Sequence, residues 1–485
     1  MPALLSLILL AGLVPVQEPS PEGPLAVGLP PDGYRSPATV IERLRRLGAR
    51  PGVRVEAIAA SPTGQPVLIA SFGAEPGAGR PELLIVADPD GTRPIASQLA
   101  LALCEHLAAG GSPLLERATV HVLAVANPDA ATQAFAGKDA QRGAPRDEDR
   151  DARLDEDPAQ DLDGDGLALW MRVPRTGGAW LPEAADPRAK RARDLSKGEL
   201  GAFEMMREGL DADSDRAIAE DGRGGIQLEA NWPHRWREHR PESGPYALSE
   251  PETRGLAGFV LARPGIALAI VLGSEDSLAA PPKGAASADT GTTEVLEADA
   301  YLHAVLGARL YEKDAARPRG AEAGHGNLAD WLYFQAGIPT LESAVWSPPL
   351  DVAVPEGKDE AGEEAKLLRW ADSVYGGRGF VAWRPFEHPQ LGAVEIGGWK
   401  PLVAANPPIG ELPGLVDRWS GFVDSLAGDF AQLSWEQVQV TALGGNVFEA
   451  RATLVNTGLM ATSTNMGLRT RRPLPARVQL ELPEG

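Results

Sequence analysis

Acidic runs are the groups in this chain whose types and spacing most directly suggest chemistry. Asp161, Asp163 and Asp165 stand at alternate positions in "DLDGDG", with Gly166 in the sixth place. This is the first half of a calcium loop, in which carboxylates converge because the chain turns around a hard cation. Asp147, Asp149 and Asp151 repeat the spacing, as do Asp211, Asp213 and Asp215. A complete loop would place a bidentate Glu at its twelfth position. That position is Arg172 for the first run, and Pro158 and Gly222 for the other two. Asp161, Asp163 and Asp165 are therefore the candidate calcium ligands, with a plain solvated acidic loop as the alternative.

Other reactive arrangements are sparse. His239 and Glu242 form a His-x-x-Glu pair, but in a Pro-rich loop where no strand would fix their geometry. His106 and His303 fall on helical patterns and His121 on a strand, while His234 belongs to "WPHRW", whose Trp and Arg suit packing and stacking. Gly-x-Ser-x-Gly is absent, and so is a phosphate-cradling Gly-Lys-Ser/Thr loop. Cys104 is the only cysteine, which excludes an intramolecular disulfide and a cysteine metal cluster. It falls in the apolar helical stretch "IASQLALALCEHL" and is expected to pack as a small hydrophobe.

The elements that must position any site follow from the apolar pattern. "SPATVIERLRRLGA" has a helical period, with Ser36 as N-cap. "VRVEAIAAS", "PVLIASFG", "ELLIVAD", "ATVHVLAVANPD" and "ALAIVLGSEDS" are short apolar strands, and a helix is expected from Ile95 to Leu107. Continuous apolar strands alternating with helices imply a sheet covered on both faces. The expected class is α/β, a mixed sheet with helices on both faces, plus a small C-terminal antiparallel β unit. A helical stretch from Glu411 to Leu433 would close the large domain. Beyond it, "VQVTALGGNVFEARATLVNTG" and "ARVQLELPEG" alternate apolar and polar residues around a Gly-Gly turn. The expected organisation is a leader over 1–19, a main domain over 35–433 with an acidic insertion about 140–225, and a β-sandwich-like unit over 434–485.

Several segments, taken in order, resemble the carboxypeptidase A-like zinc peptidases, particularly secreted bacterial members with a C-terminal β-domain. "IVADPDGTRPIAS" from Ile85 resembles the family's strand ending in His-x-x-Glu and Pro, and "NPD" at Asn127 its strand-end motif. "ANWPHRW" at Ala230, "LSEPETR" at Leu248, "DWLYFQAGIPT" at Asp330, "VEIGGWK" at Val394 and "LVNTGLMAT" at Leu454 extend the likeness. The resemblance implies two His and one Glu on zinc, a Glu general base and an Arg that stabilises substrate charge. At the matching positions this chain has other residues. The first His is Asp90, the Glu ligand is Arg93 and the second His is Gly273. The Asn-Arg pair is Glu229 and Ala230, and the base is Ala344, with Glu342 two positions upstream as an alternative base.

An Arg at a ligand position repels a cation, so zinc is expected for the family but lost here. The reading that follows is a secreted pseudopeptidase whose cleft binds a peptide or peptidoglycan-like ligand. Two alternatives stay open: an active zinc metallocarboxypeptidase releasing C-terminal residues, and a calcium-stabilised extracellular binding protein. The apolar run from Ala3 to Val14 has signal-peptide length and is too short to span a bilayer, so the expected location is secreted or periplasmic, free or N-terminally tethered. A formal charge of −21 argues against nucleic acid or an anionic membrane as partner.

Overall fold

The computed structural model describes residues 28–73, 79–137, 157–212, 218–219, 226–282, 294–311, 317–319, 325–350, 361–445, 447–473 and 476–479. The acidic run at Asp147, Asp149 and Asp151 lies outside these residues, as do Asp213 and Asp215.

The centre is a six-stranded mixed sheet. Its strands are β1 (Val53–Ala60), β2 (Pro66–Phe72), β3 (Glu82–Ala87), β4 (Thr119–Leu123), β5 (Ile266–Leu272) and β6 (Thr340–Ser343). They lie in the order β1-β2-β4-β3-β5-β6. β1, β2 and β4 pair antiparallel, and β4, β3, β5 and β6 pair parallel. Because strand side chains alternate between faces, each buried strand feeds two cores. Leu83, Ile85 and Ala87 enter one cluster, with helix Pro94–Ala109 and Trp419 of helix Leu412–Ser425. Leu84 and Val86 enter the other, with Trp232, Phe259 and Leu332. This explains why "LLIVA", Leu83 to Ala87, is apolar without a break.

Ser36 caps the first helix, Pro37–Leu47, accepting from the Thr39 N–H as the sequence predicts. The helix expected to run to Leu433 instead ends at Ser425, followed by a 3-10 turn over Leu426–Gly428. Leu433 opens the C-terminal hairpin, Leu433–Gly444 against Val447–Asn456, a separate two-stranded antiparallel sheet. In "ARVQLELPEG" the described residues, 476–479, carry no regular structure. A short helix, Asn465–Thr470, lies between that stretch and the hairpin.

A second six-stranded sheet was not foreseen. It joins Phe380–His388 and Gly392–Trp399 to four strands of the insertion: Trp170–Gly178, Trp180–Pro182, Lys190–Ala192 and Gly201–Arg207. "VEIGGWK" is thus a strand, paired Glu395 to Arg172 with the insertion.

Candidate functional site

The parallel strands β3, β5 and β6 end side by side, and the residues that follow them form the candidate site. Ala87 pairs with Leu272 and Leu272 with Ser343. The next residues along are therefore Asp88, Gly273 and Ala344, and Asp90 and Arg93 follow on the loop after β3.

That loop is clamped from three sides. Asp88, buried at positive φ, accepts the Arg93 N–H on Oδ1 at 2.8 Å. Asn127, the N-cap of helix Pro128–Phe135, donates to the Pro89 carbonyl at 3.3 Å. Asn406 donates to the Thr92 carbonyl at 3.1 Å and accepts from the Ile95 N–H at 3.2 Å. Gly91 has positive φ, and a Cβ there would lie 2.7 Å from the Ala131 nitrogen, so this tight approach requires glycine. "NPD" therefore acts locally: Asn127 holds the loop, while Asp129 accepts from Ser61 at 2.6 Å and the Thr63 N–H at 3.1 Å.

A buried carboxylate, Asp276, fixes the other strand ends. Its Oδ2 accepts from Ser343 Oγ at 2.9 Å, the Ala344 N–H at 3.0 Å and Tyr311 Oη at 3.0 Å. Its carboxyl is pushed up by burial.

Around this frame the structure gathers several of the sequence-derived residues with others the sequence reading missed. Glu342 lies on β6, donates its N–H to Ser277 Oγ at 2.9 Å, and sits against Glu275. Burial, then the charges of Glu275, Asp330 and Glu229, raises its carboxyl well above the usual range. Glu229, in the turn Leu228–Ala230, is raised in the same sense by burial and then by Asp90 and Glu275. Its Oε2 accepts from the Leu328 N–H at 3.5 Å; its Oε1 is buried with no hydrogen-bond partner among the described residues. Burial pushes Asp330 up to about 6, and its nearest cation is Arg235 at 3.9 Å. Glu275 follows β5 and Asp330 ends the short helix Leu328–Asp330; neither has a role in the site on the sequence reading, and the fold brings them in.

Arg93 is the cation of this region. Burial lowers its pKa, and the charges of Asp90, Asp88 and Asp276 counteract that shift. Ala230 and Ala344 are buried and bring no functional group.

Asp90, Arg93 and Gly273, the expected metal positions, do not make the donor set of catalytic zinc. Asp90 offers oxygen, Arg93 a permanent cation and Gly273 no side chain, whereas zinc needs three N, O or S ligands in a tetrahedral arrangement. Among the described residues, the carboxylate group whose ligand atoms approach within 4.8 Å of one another lies elsewhere: Asp161, Asp163 and Glu208.

Asp161 turns the acidic loop through its own side chain, accepting from Gly164 N–H at 2.8 Å and Gly166 N–H at 2.8 Å. Glu208, fully buried, accepts from the Leu162, Asp163 and Leu169 N–H groups at 2.7, 3.3 and 2.8 Å. Asp165 pairs instead with Arg384 at 3.1 Å. A third carboxylate thus reaches the loop from the end of a distant strand, a placement invisible to a twelve-residue spacing test. His239 pairs with Glu238 at 3.7 Å and is 82% exposed, so the His239–Glu242 spacing forms no fixed site.

A family model described as "Domain of unknown function (DUF8731)" matches residues 432–485. No curated protein matches the chain. Among solved structures, the chain is similar to carboxypeptidase A from Helicoverpa armigera at 16% identity and a TM-score of 0.40, covering 72% of this chain and 73% of that one. It is similar to bovine thrombin-activatable fibrinolysis inhibitor, solved in complex with tick carboxypeptidase inhibitor, at 12% identity and a TM-score of 0.38, covering 71% and 95%. A metallo-carboxypeptidase from Burkholderia cenocepacia is similar at 15% identity and a TM-score of 0.34, covering 64% and 60%.

Proposed function

We infer that this chain is a secreted, catalytically inactive relative of the zinc carboxypeptidases whose cleft binds a peptide-like ligand without hydrolysing it. The observation carrying this reading is the set of residues at the strand ends. Asp90 and Arg93, on a loop clamped by Asp88, Asn127 and Asn406, and Gly273 and Ala344, at the ends of the neighbouring strands, stand where the resemblance puts three zinc ligands and a base. Hydrolysis by this family's chemistry needs a metal-polarised water and a base to take its proton, and these residues supply neither. Glu342, the alternative base, shares its surroundings with Glu275 and Glu229. The acidic lining suits a ligand bringing positive charge, such as a peptide amino group or a basic side chain.

The test combines elemental analysis of metal-replete protein with an assay of C-terminal residue release, with and without chelator. No stoichiometric zinc and no chelator-sensitive release across basic, acidic and aliphatic C-termini is the expected result. One zinc per chain with chelator-sensitive release would establish the active metallocarboxypeptidase instead.

A second reading, calcium stabilisation of the insertion, is favoured by Glu208 standing with Asp161 and Asp163. A hard cation takes oxygen ligands of this kind, and binding to the folded chain alone raises stability by mass action. A melting temperature unchanged between millimolar calcium and chelator would refute it.

A further inference from the structure

A cavity of about 520 Å³ has Arg93 in its lining. Its walls come from the loop after β3, the loop after β6, the second sheet and helix Glu363–Tyr375. Three tryptophans line it: Trp180, Trp346 and Trp399. Two of them are fixed by hydrogen bonds: Trp346 Nε1 donates to Glu411 at 2.8 Å and Trp399 Nε1 to Glu364 at 3.1 Å. Glu364 also receives the Lys190 N–H at 2.9 Å and lies 3.4 Å from Lys190 Nζ. Arg319 lines the rim, 4.0 Å from Glu363.

Arg93 is deeply set and lines the cavity, and the charges of Asp90, Asp88 and Asp276 act on it. A guanidinium presents five donors in a planar fork and stays charged, so it can take a further acceptor from a ligand in the cavity. The acidic groups behind it, Asp88, Asp90 and Asp276, belong to the strand-end frame, and Asp88 spends one oxygen on the Arg93 backbone. Indole walls, a volume in the range of small-ligand pockets and a forked cation at the base together define what fits. Rings present flat CH faces to indoles, the paired Lys190–Glu364 and Arg319–Glu363 supply donors and acceptors to hydroxyls, and a carboxylate matches the fork.

We propose that this cavity binds a carboxylate-bearing saccharide, its acid group on Arg93 and its ring between Trp180, Trp346 and Trp399. The site shares no lining residue with Glu229, Glu275, Asp330 or Glu342. It goes beyond the inactive-cleft reading and does not depend on it: a chain found to hydrolyse peptides could still bind a sugar acid here.

Isothermal titration with digalacturonic acid, its neutral counterpart galactobiose and N-acetylphenylalanine tests this on the full chain. Digalacturonic acid should bind, galactobiose should bind roughly ten- to hundredfold more weakly, and Arg93→Met should remove that difference. Ala405→Phe, which fills the cavity from its wall, should abolish binding while leaving the melting temperature unchanged. Equal binding of charged and neutral sugars would overturn the role of Arg93, and tighter binding of N-acetylphenylalanine would overturn the saccharide assignment. No heat from any probe at millimolar concentration, or binding unaffected by Ala405→Phe, would overturn the site. If Arg93→Met does not fold, the charged-against-neutral comparison and Ala405→Phe decide the matter.

Discussion

The Gly273 N–H donates to the Ser343 carbonyl at 2.9 Å, which holds the ends of β5 and β6 side by side. On the proposed reading these two strand ends would be a frame kept for a zinc ligand and a base whose residues have changed.

Restoring ligands should restore metal before activity. A Cβ on Gly273 would meet Pro89 and Val271 at 3.7 and 3.8 Å, ordinary contact, so a histidine can begin there without moving the backbone. Asp90→His, Arg93→Glu and Gly273→His together should raise zinc affinity in a competition titration by at least about a hundredfold, since three ligands return and a repelling cation leaves. Peptide hydrolysis should stay near background until Ala344→Glu and Ala230→Arg are added, because base and oxyanion roles are each worth roughly 10²–10⁴ in rate. A folded triple variant with no gain in zinc affinity would show that these positions were misassigned.

Asp88 makes stability pH-dependent. Burial pushes its carboxyl up to about 7, whereas an unfolded chain releases that proton near pH ~4. The folded state thus holds the proton more tightly. The group's contribution is full below about pH 4 and is lost as pH climbs towards 7. Asp88→Asn keeps the oxygen that accepts the Arg93 N–H, and Asn tolerates positive φ. Denaturation midpoints measured from pH 4.5 to 8 should fall more for the parent than for Asp88→Asn. Parallel curves would mean that Asp88 titrates normally.

His121 is fully buried on β4, with Nδ1 at 2.8 Å from Ser71 Oγ and Nε2 at 2.8 Å from Glu82. Glu82→Ala leaves a buried ring nitrogen without its partner and should destabilise by roughly 1–3 kcal/mol in chemical denaturation. Glu82→Gln retains a polar partner and should cost less. An equal loss in both would point to packing rather than to this hydrogen bond.

Legibility followed locality. "ELLIVA" and "IALAIVL" were readable as strands because burial on both faces leaves a continuous apolar signal, and Ser36 was readable as a cap because it acts three residues away. The second sheet was not, because its strands mix Arg, Gly and Pro on half-buried faces, and its central pairing joins Arg172 to Glu395. The same applies to the site. Asp90, Arg93, Gly273 and Ala344 were singled out by motif resemblance, whereas Glu275 and Asp330 join Glu342 only through folding. Glu208 reaches the Asp161 loop from a strand far along the chain, so no spacing rule could find it.

The carboxylates around Glu342 should make the cleft a place where stability is given up. Burial raises Glu342 and Glu229; the charges of Glu275, Asp330 and Glu229 further disfavour ionised Glu342, and those of Asp90 and Glu275 ionised Glu229. As the folded pKa values lie above the unfolded ones, the pair favours the folded state at low pH, and that advantage is lost as pH rises. Glu342→Gln and Glu229→Gln remove a charge that must otherwise be desolvated beside like charges, at little change in volume. Both should raise the melting temperature at pH 8 and raise it less, or not at all, at pH 5. Scanning calorimetry at the two pH values distinguishes the outcomes. A lower melting temperature at pH 8 for both would mean that the carboxylates are already neutralised by partners, and that the cleft does not hold the excess negative charge on which its preference for a cationic peptide group rests.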